Sequence, residues 1–166
     1  MREQLTEKDV ERIEAEIEHR KLVVRQEAIE AVKEARAHGD LSENFEYHAA
    51  KKDKNKNESR IHYLERMLRT AEIISDESAA DEVGLNNTVT LYFEEDDECE
   101  EFRLVTSIRG NSLKNMISIE SPLGKAIYGR KLGERVLVPM GSGGYYVEIR
   151  EIKNTGDDGS DTIRSY

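Results

Sequence analysis

The chain has 166 residues, of which 36% are charged and 37% hydrophobic, with no tryptophan and a formal net charge of -10. That length suits one or two small domains, and the modest apolar content argues against one large spherical core and for an elongated or two-part molecule. An acidic total excludes autonomous tight binding to duplex nucleic acid, which rests on Lys and Arg neutralising phosphates. No window approaches the roughly 18 consecutive apolar residues that cross a bilayer, and the N-terminal MREQLTEKDV has no apolar signal core, so a cytoplasmic location without a membrane partner is expected. The single Cys99 excludes an intrachain disulfide and a thiolate metal cluster.

From Thr6 to Ala37 there is no Gly or Pro, and Glu, Lys, Arg and Ala dominate, which predicts one long helix with Thr6 as its N-cap and Asp9 three residues on. Val10, Ile13, Ile17, Val24, Ala28, Val32 and Ala35 recur at steps of three, four or seven and form one narrow stripe, the pattern of a coiled-coil partner. Gly39 interrupts it. A second Gly- and Pro-free segment runs from Ser42 to Ile74 with Ile61, Leu64, Leu68, Ala71 and Ile74 as its stripe. A break this short predicts an antiparallel helical hairpin over 1–75, with its tip at about 38–46 and arms about 45 Å long. Between Ala50 and Arg60 the stripe positions hold Lys54 and Asn57, leaving the half nearest the tip little apolar area.

The acidic stretch 76–87 reads as a linker. The period then changes to that of strands, at 88–93, 101–105, 116–120, 134–140 and 144–152, with EEDDECEE (94–101) as a solvated connection. SPLGKAIYG (121–129) reads as the one short helix, opened by Ser121 and Pro122. The expected class is therefore α+β, a helical hairpin followed by a small β-sheet domain over 88–153 and a flexible tail over 154–166.

The chemistry concentrates in HGDLSENFEYHAAKKDKNK, His38 to Lys56. Asp40 and Glu43, three residues apart at the end of a stiff hairpin, can converge on one point beyond it. Magnesium takes hard oxygen ligands and is commonly held by one or two protein carboxylates plus phosphates and waters, so this pair is too small for a metalloenzyme centre but adequate to complete another protein's two-metal site. The other reading is a solvated turn, with Asp40 as an Asx residue, Ser42 as N-cap and Glu43 favouring the positive end of the second helix. Ser42, Asn44, Phe45 and Tyr47 frame the tip, and the two aromatic residues either stack on a base or pack across the turn. Residues 51–60 carry five bases against two acids. Lys51, Lys52, Lys54 and Lys56, with Arg36 opposite, can hold a nucleic-acid phosphate or can form a solvated face of Lys–Glu pairs. His19, His38, His48 and His62 show no metal spacing and read as surface residues.

These residues resemble the bacterial Gre transcript cleavage factor family. AVKEARAHGDLSENFEYHAAKK (31–52) and RIHYLERMLRTAEII (60–74) are similar to its hairpin tip and second arm, and ISIESPLGKAIYGRKLGERVLV (117–138) to its second signature. The resemblance implies an N-terminal coiled coil and a C-terminal FKBP-like domain. It implies a transcription elongation factor, not itself an enzyme, that enters the secondary channel of bacterial RNA polymerase and stimulates the polymerase's own cleavage of backtracked RNA. Its tip acids match Asp40 and Glu43, which would share a polymerase-bound magnesium without holding a cofactor stably alone. The RNA 3′ end would meet a basic patch of Arg36, Lys51 and Lys52, the polymerase would be docked by Glu120, Ser121 and Pro122, and the factor would be a monomer. Phe45 stands where the family commonly has a small residue. Two other readings are a channel-occupying regulator that does not promote cleavage and, from the FKBP-like domain, a prolyl isomerase or peptide-binding module.

Overall fold

The computed structural model describes residues 2–39 and 43–165. They divide into a helical unit built from Asp9–Glu72 and a β-rich unit built from Gln4–Lys8 and the chain from Ile73 onward.

The first arm of the helical unit comprises α1 (Glu7–His19) and α2 (Arg25–Arg36), joined without a break by five residues in π conformation, Arg20–Val24. The second arm is one helix, α3 (Phe45–Thr70). It is shorter at both ends than its Gly- and Pro-free run, because Asn44 caps its start and Ala71 is extended, with ψ 146°. The cross-arm pairs Arg36–Tyr47, Arg25–Glu58, Arg20–Asn57 and Glu16–Arg60 descend in opposite directions, so the arms are antiparallel as expected. Ile13, Ala35, Ile61, Leu64 and Met67 are buried along the seam. Among the described residues no helix is long and apolar enough to cross a membrane.

The seam is polar where its stripe lacks apolar residues. Arg60 donates from Nε to Glu16 Oε2 at 2.8 Å and from Nη2 to Oε1 at 3.3 Å, and Arg20 Nε reaches the same Glu16 Oε2 at 2.8 Å. Arg20 Nη1 continues to Asn57 Oδ1 at 3.0 Å. The π turn belongs to this network: the Arg25 amide bonds to the Arg20 carbonyl five residues back, and Asn57 Nδ2 donates to that carbonyl as well, at 3.3 Å. Arg60, which the sequence assigns to the basic run, is therefore turned into the seam. Beyond this layer Arg25 grips Glu58 with two bonds, 3.0 and 2.8 Å.

The β-rich unit holds a five-stranded sheet of β3 (Thr88–Phe93), β4 (Glu98–Val105), β5 (Met116–Ser118), β6 (Arg135–Met140) and β7 (Gly143–Lys153), in the order β5-β4-β3-β7-β6. All pairings are antiparallel except β4 with β5. Near the start of the unit the Leu5 carbonyl, in β1 (Gln4–Leu5), accepts the Ile74 amide just past β2 (Glu72–Ile73), at 2.8 Å. The short helix α4 (Pro122–Ile127) lies between β5 and β6 and adds Ile127 to a core of Val89, Leu91, Leu104, Val136, Val138, Val147 and Ile149. Alternation along β3, β6 and β7 accounts for most of that core. This is the expected α+β class.

Three boundaries differ from expectation. Strand β4 begins at Glu98, inside the acidic run, because Glu98, Cys99, Glu100 and Glu101 pair with Phe93, Tyr92, Leu91 and Thr90 in turn while their side chains stay exposed. Val83 and Leu85, in the stretch read as linker, are buried in the sheet's core; two apolar residues are too few to signal a strand. The tail does not hang free. Asp161 pairs with Arg103 and Arg109, Asp157 is buried, and the Arg164 amide bonds to the Ile108 carbonyl at 2.8 Å. Composition signals disorder through missing apolar residues, whereas this segment is held by charge-assisted bonds.

Burial pushes the Glu16 carboxyl up, but the hydrogen bonds and charges of Arg60 and Arg20 outweigh it and hold the carboxyl below its ordinary value. A depressed carboxylate contributes stability that is present above its unfolded pKa and is lost as pH falls through the folded one. The helical arms should therefore lose stability as pH drops below about 4.5, and Glu16→Ala, at a site still partly solvated, should cost about 2 kcal/mol at neutral pH. Thermal unfolding of both proteins across pH 3–7 checks this: the variant should show the smaller acid-dependent loss.

Candidate functional site at the hairpin tip

Among the described residues, the Asn44 side chain bonds to both helix ends at the tip. The Asn44 Oδ1 accepts the Tyr47 amide at 3.0 Å, capping α3, and the Asn44 Nδ2 donates to the Ala35 carbonyl at 2.6 Å in the last turn of α2. One carboxamide thus bonds both helix ends: it gives the Tyr47 amide the acceptor that the first turn of a helix lacks, and it adds a second donor to the Ala35 carbonyl, which also accepts the His38 amide at 3.2 Å. Gly39, with φ +133°, supplies the backbone conformation after α2 that side-chain-bearing residues rarely adopt. The cap is Asn44, two residues later than the Ser42 cap of the solvated-turn reading. Asp40 and Ser42 lie outside the described residues. Glu43 is exposed, one residue before the cap.

Behind the cap the two aromatic residues part ways. Tyr47 is buried, with the Arg36 guanidinium 5.6 Å from its ring centroid and Nη2 3.5 Å from its hydroxyl. That hydrogen bond, with the charges of Lys51, Arg36 and Lys54, holds the phenol below its ordinary value. Arg36, Tyr47, Lys51 and Lys54 therefore share one face. Lys52 does not, since at 100° per residue it stands about 140° around α3 from Tyr47. Phe45 is 86% exposed, and of the two it alone leaves its ring open.

The opposite face is unlike the first, and nothing in the charge count points to it. Ala28 and Ala31 of α2 and Ala49 and Ala50 of α3 line a groove of about 710 Å³, with Glu27, Glu34, Glu46 and Asp53 around it. It emerges only once Glu46, Ala49, Ala50 and Asp53 are placed on one helical side. His38 lies here too, its Nδ1 3.0 Å from Glu46 Oε2, and the four histidines are all exposed.

In the β-rich unit the three candidate docking residues are contiguous. The Ser121 Oγ accepts the Gly124 amide at 3.1 Å, capping α4, and donates to the Ser118 carbonyl at 2.6 Å, while the Glu120 amide donates to Ser118 Oγ at 3.0 Å. Gly124 is required there, because a Cβ would stand 1.9 Å from the Ser118 carbonyl oxygen. Pro122 is exposed at the first position of the helix.

Residues 3–73 match the family described as transcription elongation factor, N-terminal, and residues 77–154 match transcription elongation factor, GreA/GreB, C-term. The chain belongs to the GreA/GreB family of transcription elongation factors. The transcription elongation factor GreA of Caldanaerobacter subterraneus subsp. tengcongensis is 41% identical over 150 residues, covering 90% of this chain and 96% of that one. Its counterpart in Staphylococcus saprophyticus is 43% identical over 150 residues, covering 90% and 95%. Among solved structures, the GreA factor homolog 1 (Gfh1) protein of Thermus thermophilus is 27% identical, covers 93% of this chain and 100% of its own, and has a TM-score of 0.42. Both halves of this Gre factor are thus family domains, and its Asn44 cap and Ser121 loop lie within the two matched regions.

Removing the two hydrogen bonds of the Asn44 side chain has a local cost. Asn44→Ala should lower stability by about 1–2 kcal/mol, and the Tyr47 amide should exchange with solvent markedly faster. An unchanged exchange rate at Tyr47 would reject the cap's role.

Proposed function

We propose that this Gre factor delivers the carboxylates of Asp40 and Glu43 to the active centre of bacterial RNA polymerase and stimulates the polymerase's cleavage of backtracked RNA. The observation that carries the reading is the tip itself: Glu43 is exposed beside a face made basic by Arg36, Lys51 and Lys54, on a hairpin of the matched family. A helix of 26 residues spans about 39 Å, a reach that suits a narrow channel.

The donor chemistry fits magnesium, since carboxylate oxygens are the hard ligands it takes. Two carboxylates are too few to hold the ion alone, so the reading gives it to the polymerase and has Glu43 and Asp40 complete its ligand set. Once there, the ion supplies Lewis acidity and a more acidic bound water. The chain's residues position: Asn44 holds the turn, Arg36 and Lys51 attract the RNA backbone, and Tyr47 keeps the Arg36 guanidinium in place. Lys52, around the helix, contributes to the field without sharing that face. Phe45 offers an open ring for a base. Glu120, Ser121 and Pro122 form the rigid loop that docks on the polymerase. The factor acts as a monomer in the cytoplasm and performs no catalysis alone.

A stalled, backtracked elongation complex with magnesium tests the whole reading. Adding the protein should shorten the RNA. Asp40→Asn and Glu43→Gln should each reduce stimulated cleavage by at least about 100-fold while polymerase binding persists. A chain that binds without shortening the RNA would be a channel-occupying regulator. Arg36→Ala with Lys51→Ala should weaken cleavage and flatten its salt dependence. Phe45→Ala should lower it about tenfold if the ring contributes one stacked base, whereas an unchanged rate would assign the ring no part.

A further inference from the structure

The C-terminal segment begins where the family match ends, at residue 154, and it lies on the β-rich unit as a bound peptide would. Asp161 receives Arg103 Nη1 on both oxygens at 2.8 Å, and Arg109 Nη1 on Oδ2 at 3.0 Å. Asp157 Oδ2 is 3.8 Å from the same Arg109 nitrogen. The backbone takes part too. Arg103 Nη2 donates to the Gly156 carbonyl at 3.1 Å, the Thr155 hydroxyl donates to the Asn86 carbonyl, and the Arg164 amide donates to the Ile108 carbonyl at 2.8 Å.

The groups that receive the segment belong to the folded body and are oriented by it. Arg109 sits in a 3-10 turn, Ser107–Arg109, and its side chain is 0% exposed. Its Nη1 donates to Asn86 Oδ1 at 2.7 Å and its Nε to Thr106 Oγ1 at 3.2 Å, so body residues hold the guanidinium in position for the carboxylates. Arg103 is fixed in β4, paired with Thr88 and Met116 on its two sides. A guanidinium at that depth calls for an anion, and the two it meets are four residues apart on one short segment whose side chains are 1% and 8% exposed. Preorganised donors, a buried charge and a ligand from outside the family domain together describe a receptor, not a loop of the fold.

We propose that Arg103 and Arg109, with Asn86 and the Ile108 carbonyl, form a binding site for acidic peptides carrying two carboxylates four residues apart, and that residues 155–165 are its built-in ligand. A tethered ligand acts at an effective concentration of about 1 mM. An acidic segment of a partner protein gains the site by outcompeting the tether, and the tether sets the threshold.

The test uses a labelled peptide of residues 155–165 and the chain ending at Asn154, read by fluorescence anisotropy. The shortened chain should bind the peptide, and bind at least about tenfold more weakly the peptide carrying Asp157→Asn and Asp161→Asn. The intact chain should bind the unaltered peptide at least about tenfold more weakly than the shortened chain does, since its own segment competes. If shortening unfolds the chain, the intact chain carrying Asp157→Asn and Asp161→Asn takes its place: it should stay folded by circular dichroism, exchange its Arg164 amide faster and accept the unaltered peptide. A folded shortened chain that ignores the peptide, or takes both peptides equally, overturns the proposal. So does unfolding of both variants, which would make the segment part of the core.

Discussion

The hairpin depends on how its two helix ends are joined, because every group beyond the seam is positioned by that joint. A helix ends with carbonyls and starts with amides that the regular ladder leaves without partners. Asn44 supplies one partner to each, at the Ala35 carbonyl and the Tyr47 amide. An aspartate there could cap α3 but could not donate to Ala35, and a serine is too short to do both. The cap places Glu43 outside the joint and Tyr47 inside it, so an exposed acid and a guanidinium braced by a ring follow from one amide.

Farther along the arms, charge does what apolar residues do near the base. Ile13, Ile61, Leu64 and Met67 fill the seam at one end. Then Glu16, Arg20, Asn57 and Arg60 cross it, and Arg25 with Glu58 follows. Such pairs contribute less net stability than leucines would, because desolvation offsets much of the attraction. They do fix register, since Arg60 and Arg20 share one carboxylate and Asn57 meets only one carbonyl. A thin, weakly apolar hairpin gains its alignment from direction-specific bonds.

Much of this was legible in the sequence and some was not, for physical reasons. The two arms followed from long runs without Gly or Pro, and β3, β6 and β7 from alternation. Ser121 and Pro122 marked α4 correctly because capping chemistry is local. Hidden were the features that depend on a distant partner. Glu98–Glu101 are strand only because β3 lies beside them, and Arg60 reads as a surface base until Glu16 is brought near. The Asp157 and Asp161 carboxylates read as solvated until Arg109 is in place. The tip was half legible: the acids and bases stand in the sequence, but which bases share a face follows from helical angles, which join Lys51 and Lys54 to Arg36 and set Lys52 apart.

The five residues of π conformation, Arg20–Val24, give the first arm one more residue than a regular helix would hold over the same rise. A residue in a regular helix turns the chain by about 100°. The wide turn thus acts as a gear between the two halves of the arm: it dials the azimuth of Arg36 and of the alanine groove against the seam below. Losing one residue from this stretch would leave a rod of almost the same length, with Arg36 and the basic flank around it swung more than a quarter-turn about the arm's axis.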